Sequence, residues 1–361
     1  MRPAQWHANC AASCCGGRRK FLTSLASVGA AAALPGSPWV ASAIAQAAPR
    51  PRIDFHHHFF SPAWVKLVAG QNAAKPVLGF DKFQSWTVAG DLEVMDEGGV
   101  EKAYLSVTQP GVWFGNIEQT RYAARELNEY AARLKADHKG RYGTFAVLPL
   151  PDIDSSLREI EYALDTLKAD GIGVLSSYDD RWLGEKAFAP VWAELNRRKA
   201  IVYTHATAPG CCSWNFQPGI LPTFVELGSD LARAMVSVIA NGTANATPDV
   251  RYIWSHGGGS IWAQRFLTGI TAEALKRKAA PGSPLAQFRR FYYDTAAAAD
   301  AIHMNILKMI VPTTQILFGS DFPWVDPARI AAGLETAGLS ADELKAIYRG
   351  NASRVLGPGA A

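Results

Sequence analysis

The sequence predicts an α/β protein, a (β/α)8 barrel of the TIM type, and three observations carry the prediction. Eight short runs rich in β-branched and aromatic residues alternate with helical patterns from Arg52 onward. Several runs are apolar throughout, as parallel strands covered on both faces require. No GxGxxG follows the first run, which counts against the runner-up, a doubly wound open sheet of the dinucleotide-binding kind.

The first element is read as an address. Residues 1–47 hold Arg2, Arg18, Arg19 and Lys20 and no acidic residue. Gly17-Arg18-Arg19-Lys20-Phe21-Leu22 precedes a weakly apolar stretch from Leu22 to Leu34, and then Ala41-Ser42-Ala43 and Ala45-Gln46-Ala47. Basic, apolar and small-residue regions in that order form a twin-arginine signal peptide, so the protein is expected to be periplasmic or secreted. Residues 48–361 are expected to form the barrel domain. Without the leader, 32 basic residues face 32 acidic ones, so no basic surface points to nucleic acid. At 48% hydrophobic and 19% charged residues, disorder is excluded for the bulk of the chain. Beyond the leader no apolar run reaches a membrane span. Cys10, Cys14, Cys15, Cys211 and Cys212 form no CxxC pair. Cys211 and Cys212 are read as thiols, a vicinal disulfide being the alternative.

The strands are expected at Arg52–His56, Ala103–Val107, Gly143–Leu148, Gly173–Ser176, Ala200–His205, Arg251–Ser255, Phe291–Asp294 and Gln315–Gly319. Ser61–Trp86 reads as a long irregular insertion after the first strand, on the catalytic face of a barrel. Leu127, Tyr130 and Leu134 mark one helix, and Phe224, Leu227, Leu231 and Val238 another. Leu157, Ile160, Leu164 and Leu167 mark a helix over 156–169, with Ser156 and Glu159 as a capping box and Gly171 as its stop. Pro190 opens a short helix with Val191 and Leu195, and Ser340 with Glu343 caps the last one.

Four of the eight histidines lie at strand ends, the face where barrel active sites form. The first strand runs into Asp54-Phe55-His56-His57-His58. Residues i and i+2 share a face, so His56 and His58 converge as half a metal site, with Asp54 in register and His57 opposite. His205 ends the fifth strand. His256 follows the sixth, before Gly257-Gly258-Gly259, and Asp321 follows the eighth. Asp54 is read as a partner that orients an imidazole. His57, His138 and His303 are read as structural or solvent-facing.

These segments resemble the amidohydrolase superfamily, and within it the aminocarboxymuconate-semialdehyde decarboxylase-like family. The likeness lies in Ile53-Asp54-Phe55-His56-His57-His58, Thr204-His205, Ser255-His256-Gly257-Gly258, Phe318-Gly319-Ser320-Asp321-Phe322-Pro323 and Gly350-Asn351-Ala352-Ser353-Arg354-Val355. It spans about residues 52 to 356, with the motifs in order. The resemblance implies one divalent ion, most often zinc with manganese as the alternative, held by His56, His58, His205 and Asp321. It also implies His256 as an acid/base group beside the ion. Gly173-Val174-Leu175-Ser176-Ser177 offers no strong bridging ligand at the end of strand four, so a single metal is expected.

The loop Gln109-Pro110-Gly111-Val112-Trp113-Phe114-Gly115 looks like that of 6-methylsalicylate decarboxylase-like members. Trp113 and Phe114 are read as an aromatic wall for a planar substrate, or else as ordinary packing. The muconate enzymes hold a second carboxylate with an arginine after strand one. Between Phe59 and Gly99 this chain has Lys66, Lys75 and Lys82 but no Arg. Either a lysine substitutes as a point charge or the substrate lacks that carboxylate.

The resemblance therefore implies a metal-dependent, non-oxidative decarboxylase of a hydroxylated aromatic or related unsaturated acid, with Asp321 or His256 delivering the ring proton. A metal-dependent hydrolase of a lactone, ester or amide is the alternative, and a non-catalytic metal-binding barrel the third reading. The expected partner is a small-molecule carboxylic acid, with a homodimer as the family's frequent assembly. No GxSxG elbow occurs, and Ser255 precedes His256 on alternating faces, so a serine triad is excluded.

Overall fold

The computed structural model describes residues 51–72, 77–179, 181–207, 225–259 and 279–357. The twin-arginine segment, Lys75, all five cysteines and Phe224 lie outside the described residues.

All eight expected strands are present. They are β1 (Arg52–His58), β2 (Val100–Ser106), β3 (Tyr142–Val147), β4 (Gly171–Leu175), β5 (Ile201–His205), β6 (Arg251–Trp254), β7 (Tyr292–Asp294) and β8 (Ile316–Leu317). They pair in sequence order, and every ladder is parallel. The seam between β8 and β1 closes through backbone bonds. Phe55 N–H donates to Phe318 O at 2.9 Å, Asp321 N–H to His56 O at 2.8 Å and His58 N–H to Phe322 O at 3.0 Å. The architecture is a (β/α)8 barrel.

Alternate residues of the strands fill the barrel. Ile53, Phe55, Tyr104, Phe145, Ile201, Tyr203, Ile253 and Leu317 form one buried cluster inside it. Four of its rings stack in series: Phe55 on Tyr104 at 4.8 Å, Tyr104 on Phe145 at 5.2 Å and Phe145 on Tyr203 at 5.3 Å. Gly143 makes room for this stack, since a Cβ there would lie 2.3 Å from the Tyr104 ring. The filled interior leaves the polar chemistry to the mouth at the strands' C-terminal ends.

The helices sharpen two expectations and overturn two. Pro190 stands in the first turn of Ala189–Arg197, and Ser340 with Glu343 forms a capping box on Ala341–Lys345. The capping box at Ser156 and Glu159 is not formed. The helix Ile153–Glu161 starts earlier, capped by Asp152, whose side chain accepts from Ser155 N–H. Glu159 is instead turned inward to Arg125 at 2.8 Å and Asn128 Nδ2 at 2.8 Å. Nor is Ser61–Trp86 irregular, because Pro62–Asn72 and Phe80–Ser85 are helical. Their buried Trp64, Val68 and Phe83 pack beside the barrel mouth, and that apolar burial stabilises two short helices whose own periodicity is weak.

Candidate metal centre

Parallel strands ending at one rim bring the four distant stretches together. His56 Nε2 lies 3.1 Å from His58 Nε2 and 3.1 Å from Asp321 Oδ1, and His58 Nε2 lies 3.2 Å from the same oxygen. The His205 ring is 5.0 Å from that of His56 and 4.7 Å from that of His58. His256 joins from the other side, its ring 4.7 Å from His56. One ligand atom from each of His56, His205, His256 and Asp321 falls within 4.8 Å of the others. All five residues expected at the site therefore converge.

Three of the histidines are fixed in the same way. Nδ1–H of His56 donates to Asp294 Oδ2 at 2.8 Å, that of His58 to Ser106 O at 3.0 Å and that of His205 to Ala206 O at 2.7 Å. Each bond sets the tautomer and turns the Nε2 lone pair toward the common point, as metal-binding imidazoles are held. Among the described residues the ring of His256 has no such partner, and its backbone N–H is tied to Asp294 Oδ1 at 2.9 Å. Nε2 of His205 and of His256 are buried with no hydrogen-bond partner among the described residues. The orphaned Nε2 lone pair of His205, beside a partly buried carboxylate, is costly alone and suits a cation.

The electrostatics agree. Burial pushes His205 well below the ordinary histidine value, helped by His58, His56 and His256. Burial likewise lowers His58, and lowers His256 to about 4. These imidazoles stay neutral, the form that ligates. Burial also opposes charge on Asp321, but the charge on His56 and its hydrogen bond outweigh it and hold the carboxyl well below its usual range. In His56 burial is again the largest influence and lowers the value, yet Asp294 and Asp321 together raise it to about 10. A cation bound to Nε2 would replace the proton these carboxylates attract.

The backbone is bent to aim the last two groups. His256 and Asp321 take left-handed φ values of 50° and 69°. Such a conformation costs about 1–3 kcal/mol and persists where the surroundings impose it. Gly319 lets β8 pass close by: a Cβ there would meet Asp294 Cβ at 2.7 Å and His56 Cβ at 2.8 Å.

The remaining expectations divide. Asp54 is buried and does orient an imidazole, but that of His57, at 3.1 Å. Its carboxylate also accepts Ser320 N–H at 3.0 Å and Ser320 Oγ–H at 2.5 Å. His57 is structural, as read, and wholly buried. His303 is exposed and paired with Asp300 at 2.6 Å. His138 ends the helix Ile117–Asp137. Trp113 and Phe114 are half-buried, and Trp113 Nε1–H donates to Asp179 Oδ1 at 2.6 Å across two loops of the catalytic face. Lys82 Nζ donates to Pro323 O at 2.9 Å, two residues beyond Asp321. Sequence reading missed Asp294, which ends β7 and holds both His56 and the His256 backbone. Its position as the last residue of a strand run was the available signal. It also missed Trp324, whose ring stands edge-on to His58 at 5.5 Å.

Comparison with known proteins agrees with this geometry. Residues 53–357 match the family model described as Amidohydrolase. The chain is 36% identical over 294 residues to Decarboxylase yanB of Aspergillus niger, covering 77% of this chain and 79% of that protein. It is 31% identical over 291 residues to 6-methylsalicylic acid decarboxylase of Penicillium expansum, covering 75% and 85%. A crystal structure of dihydroxybenzoic acid decarboxylase from Polaromonas sp. JS666, with bound manganese, superposes with a TM-score of 0.71 at 20% identity, covering 85% of this chain and 97% of that one. The chain belongs to the amidohydrolase family.

Proposed function

We propose that this protein is a metal-dependent, non-oxidative decarboxylase of a hydroxylated aromatic carboxylic acid. The observation that carries the reading is the common arrangement of His56, His58 and His205. Each has Nδ1 tied to a fixed acceptor and Nε2 turned to Asp321, in a chain whose relatives above are named decarboxylases. These four residues would hold one divalent ion. Zinc and manganese both suit imidazole and carboxylate donors, and the Polaromonas neighbour binds manganese. Bound there, the ion would act as a Lewis acid toward the acid's carboxylate and neighbouring hydroxyl.

The chain's own residues do the rest. The reaction breaks the bond from ring carbon to carboxyl carbon, leaves the electron pair on the ring and puts a proton there as CO2 departs. His256 is free for this role because no acceptor among the described residues ties its ring. Kept neutral by desolvation, it accepts the proton that the hydroxyl releases and returns it to the ring carbon. Asp294 keeps the backbone of His256 and the ring of His56 in one frame. Trp113 and Phe114 form the wall against which the planar substrate lies, with Trp113 steadied by Asp179. Lys82, bonded to Pro323 O two residues beyond Asp321, is the point charge offered after strand one. Nothing at the site favours the lactone, ester or amide hydrolase alternative.

The test is to assay purified mature protein with salicylate-type acids, reading CO2 and the phenol, before and after chelation and metal return. Loss on chelation and recovery with stoichiometric metal is the expected result. Turnover that ignores the chelator, or lactone hydrolysis without CO2, would overturn the reading. Export through the twin-arginine route and homodimerisation belong to the same proposal. Cell fractionation and sedimentation of the mature chain check them.

A further inference from the structure

We infer that Asp91, outside the barrel and 34 residues along the chain from His57, is a positioning residue for the metal centre, acting through His57 and Asp54. The inference rests on the metal reading above. Asp91 belongs to the helix Val88–Glu97 and is 1% exposed. Its Oδ1 accepts His57 Nε2–H at 2.8 Å and Trp86 Nε1–H at 3.3 Å, and its Oδ2 accepts the Tyr142 hydroxyl at 2.5 Å. His57 carries the connection inward, with Nδ1 3.1 Å from Asp54 Oδ2 and its ring stacked on Phe322 at 5.0 Å.

Asp54 is where the chain of bonds meets the site. Its carboxylate bonds the backbone N–H of His56 at 3.0 Å, on β1, and both the N–H and the hydroxyl of Ser320, beyond β8. His56 is a ligand, and Ser320 immediately precedes the ligand Asp321. The clasp therefore spans the barrel seam at the point where two ligands must keep a fixed separation. The seam needs it because β8 is only two residues long, and Asp321 follows in a left-handed conformation. Three donors fix Asp91, and the two nitrogens of His57 fix Asp54 to it. Slack at Asp91 passes through a chain of buried groups to the spacing of His56 and Asp321.

The experiment titrates divalent zinc and manganese against a competing chelator in the full-length mature protein. Asp91→Asn should weaken metal binding about tenfold, the lower end of the usual cost of disturbing a ligand's supporting bonds. Glu159→Gln serves as the control, because it breaks a polar cluster with Arg125 and Asn128 on the helix layer that shares no hydrogen bond with Asp91, His57 or Asp54. It should lower thermal stability and leave the affinity unchanged. Tyr142→Phe, which removes one bond to Asp91, should weaken the metal by a few-fold and gives the same reading should Asp91→Asn not fold. Wild-type affinity in Asp91→Asn, or in Tyr142→Phe where that variant stands in, overturns the inference. So does an equal loss in Glu159→Gln. A wild-type protein that takes up no divalent ion defeats the metal reading itself, a distinct result.

Discussion

His56 and His58 point into the mouth of the barrel, whereas His57, between them on the same strand, points into the packing beneath the helix Val88–Glu97. Alternation separates them after an irregularity in β1 between Asp54 and His57 has shifted the register, since Ile53 and Phe55, of the same parity as His57, face the barrel interior. On the inner face each ring has one nitrogen tied and the other presented. On the outer face both nitrogens of His57 are tied, to Asp54 and Asp91. Burial is the largest influence on all three rings and lowers each. On His58 it prevails, so the ring stays neutral. On His57 Asp91 and Asp54 outweigh it and raise the value to about 10. His56 also lies between two carboxylates and is raised to about 10, but one of them, Asp321, stands at the shared point, so a cation there would replace its proton; neither carboxylate of His57 does, and His57 serves as a charged strut. The same residue type therefore has two uses, decided by what meets its second nitrogen.

The largest test of this contrast removes a presented ligand atom. His205→Ala and Asp321→Ala should each abolish stoichiometric metal, read by elemental analysis, and with it CO2 release. His205→Ala should leave the barrel folded, since among the described residues its Nε2 has no partner to lose. Full metal occupancy in either variant would show that the presented atom is not what binds. The next test separates ligand from proton carrier. His256→Asn should retain the ion and lose about 10²–10⁴-fold in kcat, the usual value of one acid/base group. Loss of the ion together with the rate would move His256 into the ligand set.

Gly319→Ala probes the close approach that lets the two faces coexist. Its Cβ would press on Asp294 and His56 at under 3 Å, and neither backbone-proximal atom can swing away. A destabilisation of about 1–3 kcal/mol is expected from such overpacking, read by denaturant unfolding. Weaker metal binding should accompany it, because the displaced groups are a ligand and the carboxylate that orients it.

Much of this architecture was legible in the residues. The eight strand runs and the five convergent groups followed from apolar continuity and from polar residues placed at strand ends. What escaped shares one property, dependence on a partner remote in sequence. Asp294 is one aspartate at the end of a short run, and only the neighbouring strands reveal that it holds His56 and the His256 backbone. Asp91 reads as an ordinary helix-start acid until His57 is seen above it. Ser156 and Glu159 satisfied a local capping pattern, yet Asp152 won the cap because Glu159 gains more from Arg125 and Asn128. The helices within 61–86 have weak periodicity of their own and form because Trp64, Val68 and Phe83 find a buried surface. Local rules located the elements and the rim, while tertiary contacts decided which carboxylate supports which imidazole.

The smallest expected effect lies far from both faces of β1, at the capping box of the last helices, and should touch stability alone. Glu343 lies 2.7 Å from Lys308 and accepts the Ser340 N–H at 2.8 Å. Lys308 and the Ser340 N–H, in that order, outweigh partial burial and hold its carboxyl at about 2 against an ordinary 4.5. A depressed carboxyl contributes stability that is fully present above the unfolded value. The contribution fades as pH falls through the window between about 4.5 and about 2. Because the pair is a quarter exposed, solvent screening limits it to about 1 kcal/mol. Glu343→Gln should therefore lower unfolding free energy by that amount at pH 7 and converge on the wild type at the acid end of the window. Metal affinity should be unchanged throughout. A Glu343→Gln protein that bound metal more weakly would mean that the C-terminal helices, and not only the clasp at the β1–β8 seam, set the spacing of the ligands.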